Sequence, residues 1–135
     1  MSAIRLDMTR WPIVVVVPPD KVTDAELHTF MDEFDNSVRV RRERFVMVLD
    51  LRRSSGMLPK QRKMLTDHLN QQPEANLALC QGNALVFESA LLRTMLTAIL
   101  WVRRSTHPVQ VFASVDEACN WGRDQMSRAM AHGTP

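Results

Sequence analysis

The sequence predicts an α/β protein: a mixed, mainly parallel β-sheet flanked by helices, in the order β-β-α-β-α-β-α-β-α. Three observations predict it. Two short apolar runs, 13–17 (Ile-Val-Val-Val-Val) and 45–51 (Phe-Val-Met-Val-Leu-Asp-Leu), lack the alternation of a half-exposed strand. They read as strands covered on both faces, as in a parallel sheet between helices. Segments of helical periodicity separate these and later runs, the pattern of a layered α/β fold. Two of those segments open on a capping box, Thr23-Asp-Ala-Glu26 and Ser114-Val-Asp-Glu117.

In chain order, Ile4, Leu6 and Met8 alternate with polar residues, which predicts a half-exposed first strand joined to 13–17 by a hairpin near 9–12. Thr23 starts the first helix, with Leu27, Phe30, Met31, Phe34 and Val38 on one apolar stripe. Its other face carries Asp24, Glu26, Asp32, Glu33 and Asp35, and the helix dipole favours acid in the early turns. The basic run 39–44 (Arg-Val-Arg-Arg-Glu-Arg) reads as a solvated helix end, the alternative being a patch for an anion or an acidic partner. After strand 45–51 and a turn at 52–56, a second helix starts near Pro59, because proline suits a first helical turn. Leu58, Leu65 and Leu69 are placed inward. Pro73 breaks this helix or opens another through Leu77 and Leu79. Strand 83–89 follows, then the helix 90–103, a short strand 109–112, and a final helix. That last helix carries Val115, Ala118, Cys119, Gly122, Met126 and Met130 on one face.

One domain over residues 1–135, with an ordered core of about 4–130, suits a chain of this length. Apolar residues are 45% and charged residues 24%, which argues against a disordered or collagen-like chain. Seventeen basic against fifteen acidic residues leave a net charge of +2, too balanced for a general nucleic-acid binder. The basic residues are nearly all arginine and fall in clusters, 39–44, 52–53 and 103–104. Two cysteines, Cys80 and Cys119, argue against a disulfide scaffold or a four-cysteine zinc site. The four histidines, His28, His68, His107 and His132, form no i,i+4 pair, and the four glycines make no phosphate-binding loop. No Gly-x-Ser-x-Gly elbow is present. The N-terminal segment lacks the basic-then-apolar layout of a signal peptide. The longest apolar stretch, 90–102 with Arg93 inside, is shorter than the about twenty residues of a membrane span. A cytoplasmic, non-enzymatic protein without a membrane span, metal or cofactor is the expectation.

In open α/β sheets, sites lie at the carboxyl ends of the strands, which points to 51–56, 89–90 and 113–114. The stretch 46–57 (Val-Met-Val-Leu-Asp-Leu-Arg-Arg-Ser-Ser-Gly-Met) joins a strand, an aspartate and a serine-containing loop. The stretch 109–121 (Val-Gln-Val-Phe-Ala-Ser-Val-Asp-Glu-Ala-Cys-Asn-Trp) joins a strand, a capped helix start and Ala-x-x-Trp. With the apolar helix 91–101 between the last two strands, these resemble the STAS domain of bacterial anti-sigma-factor antagonists. More narrowly, they are similar to the SpoIIAA-like (STAS/SEC14) proteins, over roughly residues 4–128.

The resemblance implies a regulatory, protein-interaction module of bacterial signalling. It implies that Asp50 is the strand-ending acid, that Ser54, Ser55 and Gly56 form the loop, and that Ser55 is the phosphoacceptor. A phosphate there would gain from nearby helix amides, with Arg52 and Arg53 able to bind it. The match departs from the family's pattern: Arg53 stands where an aspartate is usual, and the loop is shorter. The alternative for these residues is an ordinary turn whose serines cap the following helix. A second candidate region is the helix 90–103, apolar on most sides, with Leu92, Met95, Leu96, Ile99 and Trp101 as an interface or groove wall. Such a helix is covered by something: a neighbouring helix, a second copy in a homodimer, or a lipid or small apolar ligand, as the SEC14 part of the resemblance implies. A protein partner is expected and nucleic acid is not.

Overall fold

The computed structural model describes residues 4–56, 58–69, 79–102 and 108–131, with the backbone alone at 66, 69, 99–102 and 131. The elements are β1 (Arg5–Asp7), β2 (Ile13–Val17), α1 (Asp24–Ser37), a 3-10 turn (Arg39–Arg41), β3 (Phe45–Asp50), α2 (Pro59–Leu69), β4 (Cys80–Val86), α3 (Ala90–Val102), β5 (Val109–Phe112) and α4 (Val115–Ala131). The five strands lie in chain order, β1-β2-β3-β4-β5. β1 is antiparallel to β2, with Leu6 opposite Val16. The other pairs are parallel: Val15 stands beside Val48, Val48 beside Ala84, and Leu85 beside Val111. The sheet is therefore mixed and mainly parallel, flanked by helices in the expected order. The expected break or second helix at Pro73–Leu77 lies outside the described residues.

Alternation along each strand sorts the core into two layers. Val14, Val16 and Phe45 meet Leu27, Phe30, Met31 and Phe34 of α1, with Met64 and Leu65 of α2 against them. On the opposite face, Ile13, Val15, Val46, Val48, Ala84 and Val86 meet Ala118 and Cys119 of α4. α4 comes closest at Gly122, where a Cβ would lie 2.9 Å from Ile13 Cδ1 and 3.1 Å from Val46 Cγ1. Met130, placed inward by periodicity, is instead exposed on the last turn of this helix.

Local signals account for most element ends. The Thr23 capping box forms in full: Glu26 N donates to Thr23 Oγ1 (3.1 Å) and Thr23 N to Glu26 Oε1 (3.0 Å). At Ser114 the serine half forms, with Glu117 N donating to Ser114 Oγ at 3.2 Å. The basic run is not a plain solvated helix end. Val38 closes α1, a 3-10 turn follows, and Arg42 is left-handed at φ 53°. Arg39 pairs with Asp35 at 3.2 Å, Arg41 stacks on the Trp11 ring at 4.6 Å, and Arg44 Nη1 donates to the Ala129 carbonyl at 3.1 Å.

β4 begins at Cys80, three positions before the expected Asn83, and ends at Val86 rather than Ser89. Gln81 and Gly82 hide its start in a hydropathy reading, yet Gly82 is buried because the Trp121 ring packs where its side chain would be. The strand stops early because the Arg93 guanidinium takes the Phe87 and Glu88 carbonyls, at 2.7 and 2.6 Å. Leu58 is a further correction: placed inward by the sequence, it is 63% exposed.

Candidate functional site

The carboxyl ends of β2, β3 and β4 bring three loops to one rim of the sheet: Pro18–Thr23, Leu51–Gly56 and Phe87–Ser89. Asp50 ends β3 and is buried. Arg52 closes on it as a two-pronged fork, Nε to Oδ1 and Nη2 to Oδ2, both 2.8 Å. The Arg52 amide adds a third, longer bond to Oδ1 at 3.3 Å. Fork geometry of this kind is among the stronger charge-assisted contacts. The hydrogen bonds from Arg52 hold the Asp50 carboxyl below the usual aspartate range, against the opposing effect of burial. Arg53 adds positive charge near Asp50, and Glu88 from the third loop adds negative charge near Arg52.

Beyond the fork the chain turns back. Ser54 N donates to the Leu51 carbonyl at 3.2 Å. Ser54 Oγ then accepts from Gly56 N at 3.1 Å, a local serine turn. Gly56 has φ +112°, a conformation glycine adopts without steric cost. Ser55 reaches across to the first loop: its amide and its hydroxyl both donate to the Asp20 carbonyl, at 3.1 and 2.9 Å. Neither serine caps α2. The helix starts at Pro59, and the Leu58 carbonyl accepts its first bond, from Arg62 N at 3.0 Å.

The residue that ties these loops together is Gln61, which is buried. Its Oε1 accepts from Leu58 N (3.2 Å), and its Nε2 donates to the Val22 carbonyl (2.6 Å) and Asp24 Oδ1 (3.2 Å). Lys60 Nζ meets the other Asp24 oxygen at 2.6 Å. The sequence reading of the loop did not include Gln61. Its position three residues after Leu58, the return half of a capping box, is a signal that could have found it. The carbonyls of Asp20 and Val22 carry no such signal.

Of the residues singled out in the sequence, Asp50, Arg52, Ser54, Ser55 and Gly56 share this network, and Arg53 lies exposed beside it. The second region is arranged differently. α3 lies along β5, and a groove of about 590 Å³ runs between them, lined on the helix by Ala90, Arg93, Thr94, Thr97 and Ala98. Thr94 and Thr97 bond to the carbonyls of Ala90 and Arg93, so the groove's hydroxyls are used within the helix. Leu92 and Met95 are outside that lining and exposed at 38% and 54%, as is Leu91 at 72%. Leu96 is half-buried, and the side chains of Ile99 and Trp101 lie outside the described residues. α3 thus turns small and polar residues toward the groove and leaves leucine and methionine exposed.

Elsewhere, His68 Nε2 lies 2.9 Å from Asp35 Oδ2, across the contact between α1 and α2. Cys119 is buried, with Arg10 Nη1 at 3.2 Å from its sulfur, and burial pushes the Cys80 thiol up. Among the described residues no three His, Cys, Asp or Glu side chains cluster as metal ligands, and no helix is long and apolar enough to cross a membrane.

A mixed, mainly parallel five-stranded sheet with these loops on its carboxyl rim is the fold of SpoIIAA-like, or STAS, domains. The chain is similar to a solved structure from Shewanella loihica PV-4, an uncharacterized protein of the DUF3478 family with a SpoIIAA-like fold. The TM-score is 0.62 and the identity 12%, covering 89% of this chain and 92% of that one. At that identity the likeness concerns the fold. No protein-family model and no curated protein matches the chain.

Proposed function

We propose that this chain is a non-catalytic regulatory module that docks a protein partner through the Leu51–Leu58 loop. The observation that carries this reading is the way the loop is held. Asp50 and Arg52 lock its start, Ser55 is bonded twice to Asp20, and Gln61 braces its end. A loop fixed at three points loses little conformational freedom on association, so more of its contact energy appears as affinity. The polar groups of this network bond chiefly to one another, which suits a shaped recognition surface better than an active site.

A charge at Ser55 is the proposed switch. Phosphorylation there would place about −1.5 to −2 charges on the oxygen that now donates to Asp20. The hydroxyl proton would be gone, and the phosphate would face a carbonyl oxygen. Arg52 is held by Asp50, so the exposed Arg53 is the nearer unlocked cation in the loop's sequence. The test is partner recovery with the wild type, Ser55→Ala and Ser55→Asp. The switch predicts recovery with alanine and altered recovery with aspartate; equal recovery by all three overturns it.

A second reading, a carrier for a lipid or small apolar ligand, draws on the groove beside α3 and on the exposed Leu91, Leu92 and Met95. Native mass spectrometry of freshly purified protein separates the readings. A copurified lipid mass supports the carrier, and a doubled protein mass supports a homodimer.

A further inference from the structure

Capping motifs of the same kind open α1 and α4, and only one of them closes. At α1 the Glu26 carboxylate takes the Thr23 amide at 3.0 Å. At α4 the Ser114 hydroxyl holds the Glu117 amide at 3.2 Å, but the Glu117 carboxylate makes no hydrogen bond or ion pair among the described residues. Glu117 lines the groove between α3 and β5 instead. Arg93 lines the same groove from α3. Its Nη1 donates to the Phe87 and Glu88 carbonyls, at 2.7 and 2.6 Å. Its Nε and Nη2 make no bond among the described residues. Two opposite charges thus share one groove without pairing with each other.

The rest of the lining leaves these two to meet a ligand. Ala90, Ala98, Val111, Phe112 and Ala113 are apolar, and the Thr94 and Thr97 hydroxyls donate within α3. The groove reaches the carboxyl end of β5, where open α/β sheets place ligands. Its volume of about 590 Å³ falls in the range of small-molecule sites. A local rule broken at one of two like motifs marks a functional position. We infer that this groove binds a small zwitterion with an apolar side chain, of the kind of a free apolar amino acid. Glu117 accepts from its ammonium, Arg93 donates to its carboxylate, and its side chain lies along Ala98, Val111 and Phe112. This assignment rests on the ligand-carrying reading above and adds the ligand's charges. A ligand with a single charge is disfavoured on one wall: an amine alone meets Arg93, and an acid alone meets Glu117.

The probe is free phenylalanine, followed by the amide chemical shifts of the isotope-labelled full chain. The amides of Thr94, Val111 and Phe112 should move as it is added. Phenethylamine and phenylpropanoate each keep the ring and one charge. Each should bind about 3- to 10-fold more weakly, as for a charged contact at a partly exposed site. Glycine, with both charges and no side chain, should also bind more weakly. Glu117→Gln should leave the fold intact, since Glu117 is exposed and holds α4 only through its amide. Arg93 is kept, because its bonds end β4. Glu117→Gln should weaken phenylalanine by the same factor and leave phenylpropanoate, which has no ammonium, unweakened. A loss shared by both compounds overturns the role of Glu117. Equal affinity for phenylalanine and either single-charge analogue overturns the zwitterion. Phenylpropanol binding as well as phenylalanine does so too, and leaves the apolar-ligand reading standing. Groove amides silent toward every compound overturn both this assignment and the groove as a ligand site.

Discussion

Ser55 gives both its backbone N–H and its hydroxyl to a single acceptor, the carbonyl of Asp20, at 3.1 and 2.9 Å. One oxygen on the loop after β2 therefore fixes the middle of the loop after β3. Replacing Ser55 with alanine removes one of the two bonds and keeps the other. The cost should be small, about 0.5–1 kcal/mol, because the site is exposed and water can replace the lost donor. The readout is local: the Ser54–Gly56 amides should exchange hydrogen faster in Ser55→Ala, while those of β3 keep their protection.

The Asp50–Arg52 fork should make stability depend on acid. The folded-state carboxyl lies below its unfolded value of about 3.9. A depressed carboxylate contributes stability above the unfolded value and loses it as pH falls through the folded one. Wild type should exceed Asp50→Asn by about 1–2 kcal/mol at neutral pH, the low end for a charged hydrogen bond since Arg52 is 38% exposed. In urea titrations that gap should narrow below about pH 4. A gap that is constant from pH 7 to pH 3 would mean that the carboxylate's charge contributes nothing.

Gly122 permits the closest approach of α4 to the sheet. Alanine gains about 0.5–1 kcal/mol as a helix former, but its methyl would meet Ile13 Cδ1 at 2.9 Å and Val46 Cγ1 at 3.1 Å. Both partners are fully packed β-branched side chains with little room to yield. Overpacking of this kind costs about 1–3 kcal/mol, so Gly122→Ala should lower the melting temperature despite its better propensity. A higher melting temperature would show that α4 can shift outward freely.

Gln61→Ala leaves the Leu58 amide and the Val22 carbonyl without the partner that serves both. A buried group stripped of its bond costs about 1–3 kcal/mol. Chemical denaturation should show that loss. Gln61→Glu should do no better, since a carboxylate cannot donate to Val22 and would face Asp24.

Leu91→Ser with Met95→Ser removes apolar surface from the exposed side of α3. If nothing covers that side in the isolated chain, the melting temperature should hold within the about 0.5 kcal/mol usual for surface changes. A large drop at high protein concentration that vanishes on dilution would reveal a homodimer.

Much of the fold was legible because its signals are local. Continuous apolar runs marked β2 and β3, and the Thr23 box marked the start of α1 to the residue. Among the described residues, the order of the strands and α-helices follows from such runs and from the spacing of apolar residues. The hydropathy pattern puts the start of β4 three positions late because Gly82 owes its burial to Trp121, far along the chain. Periodicity points Leu58 inward because it registers an apolar residue and not which side of a helix start the core lies on.

The candidate loop was legible in its membership and not in its bonding. Asp50, Arg52, Ser54, Ser55 and Gly56 follow from a strand end and a turn. That Arg52 folds back on Asp50, that Ser55 answers to Asp20, and that Gln61 joins two loops depends on parallel strands placing their carboxyl ends on one rim. The same holds for α3, whose composition announced an apolar helix without saying which side faces the groove.

The sequence by itself determined the element order, the helix starts and the two-sided burial of the central strands, because each rests on contacts within a few residues or on a repeat of side-chain direction. Tertiary structure alone decided the strand order, the exposure of Leu58 and Met95, and the network that holds the docking loop. These join residues tens of positions apart, and such pairings form only when packing of the whole sheet brings the loops together.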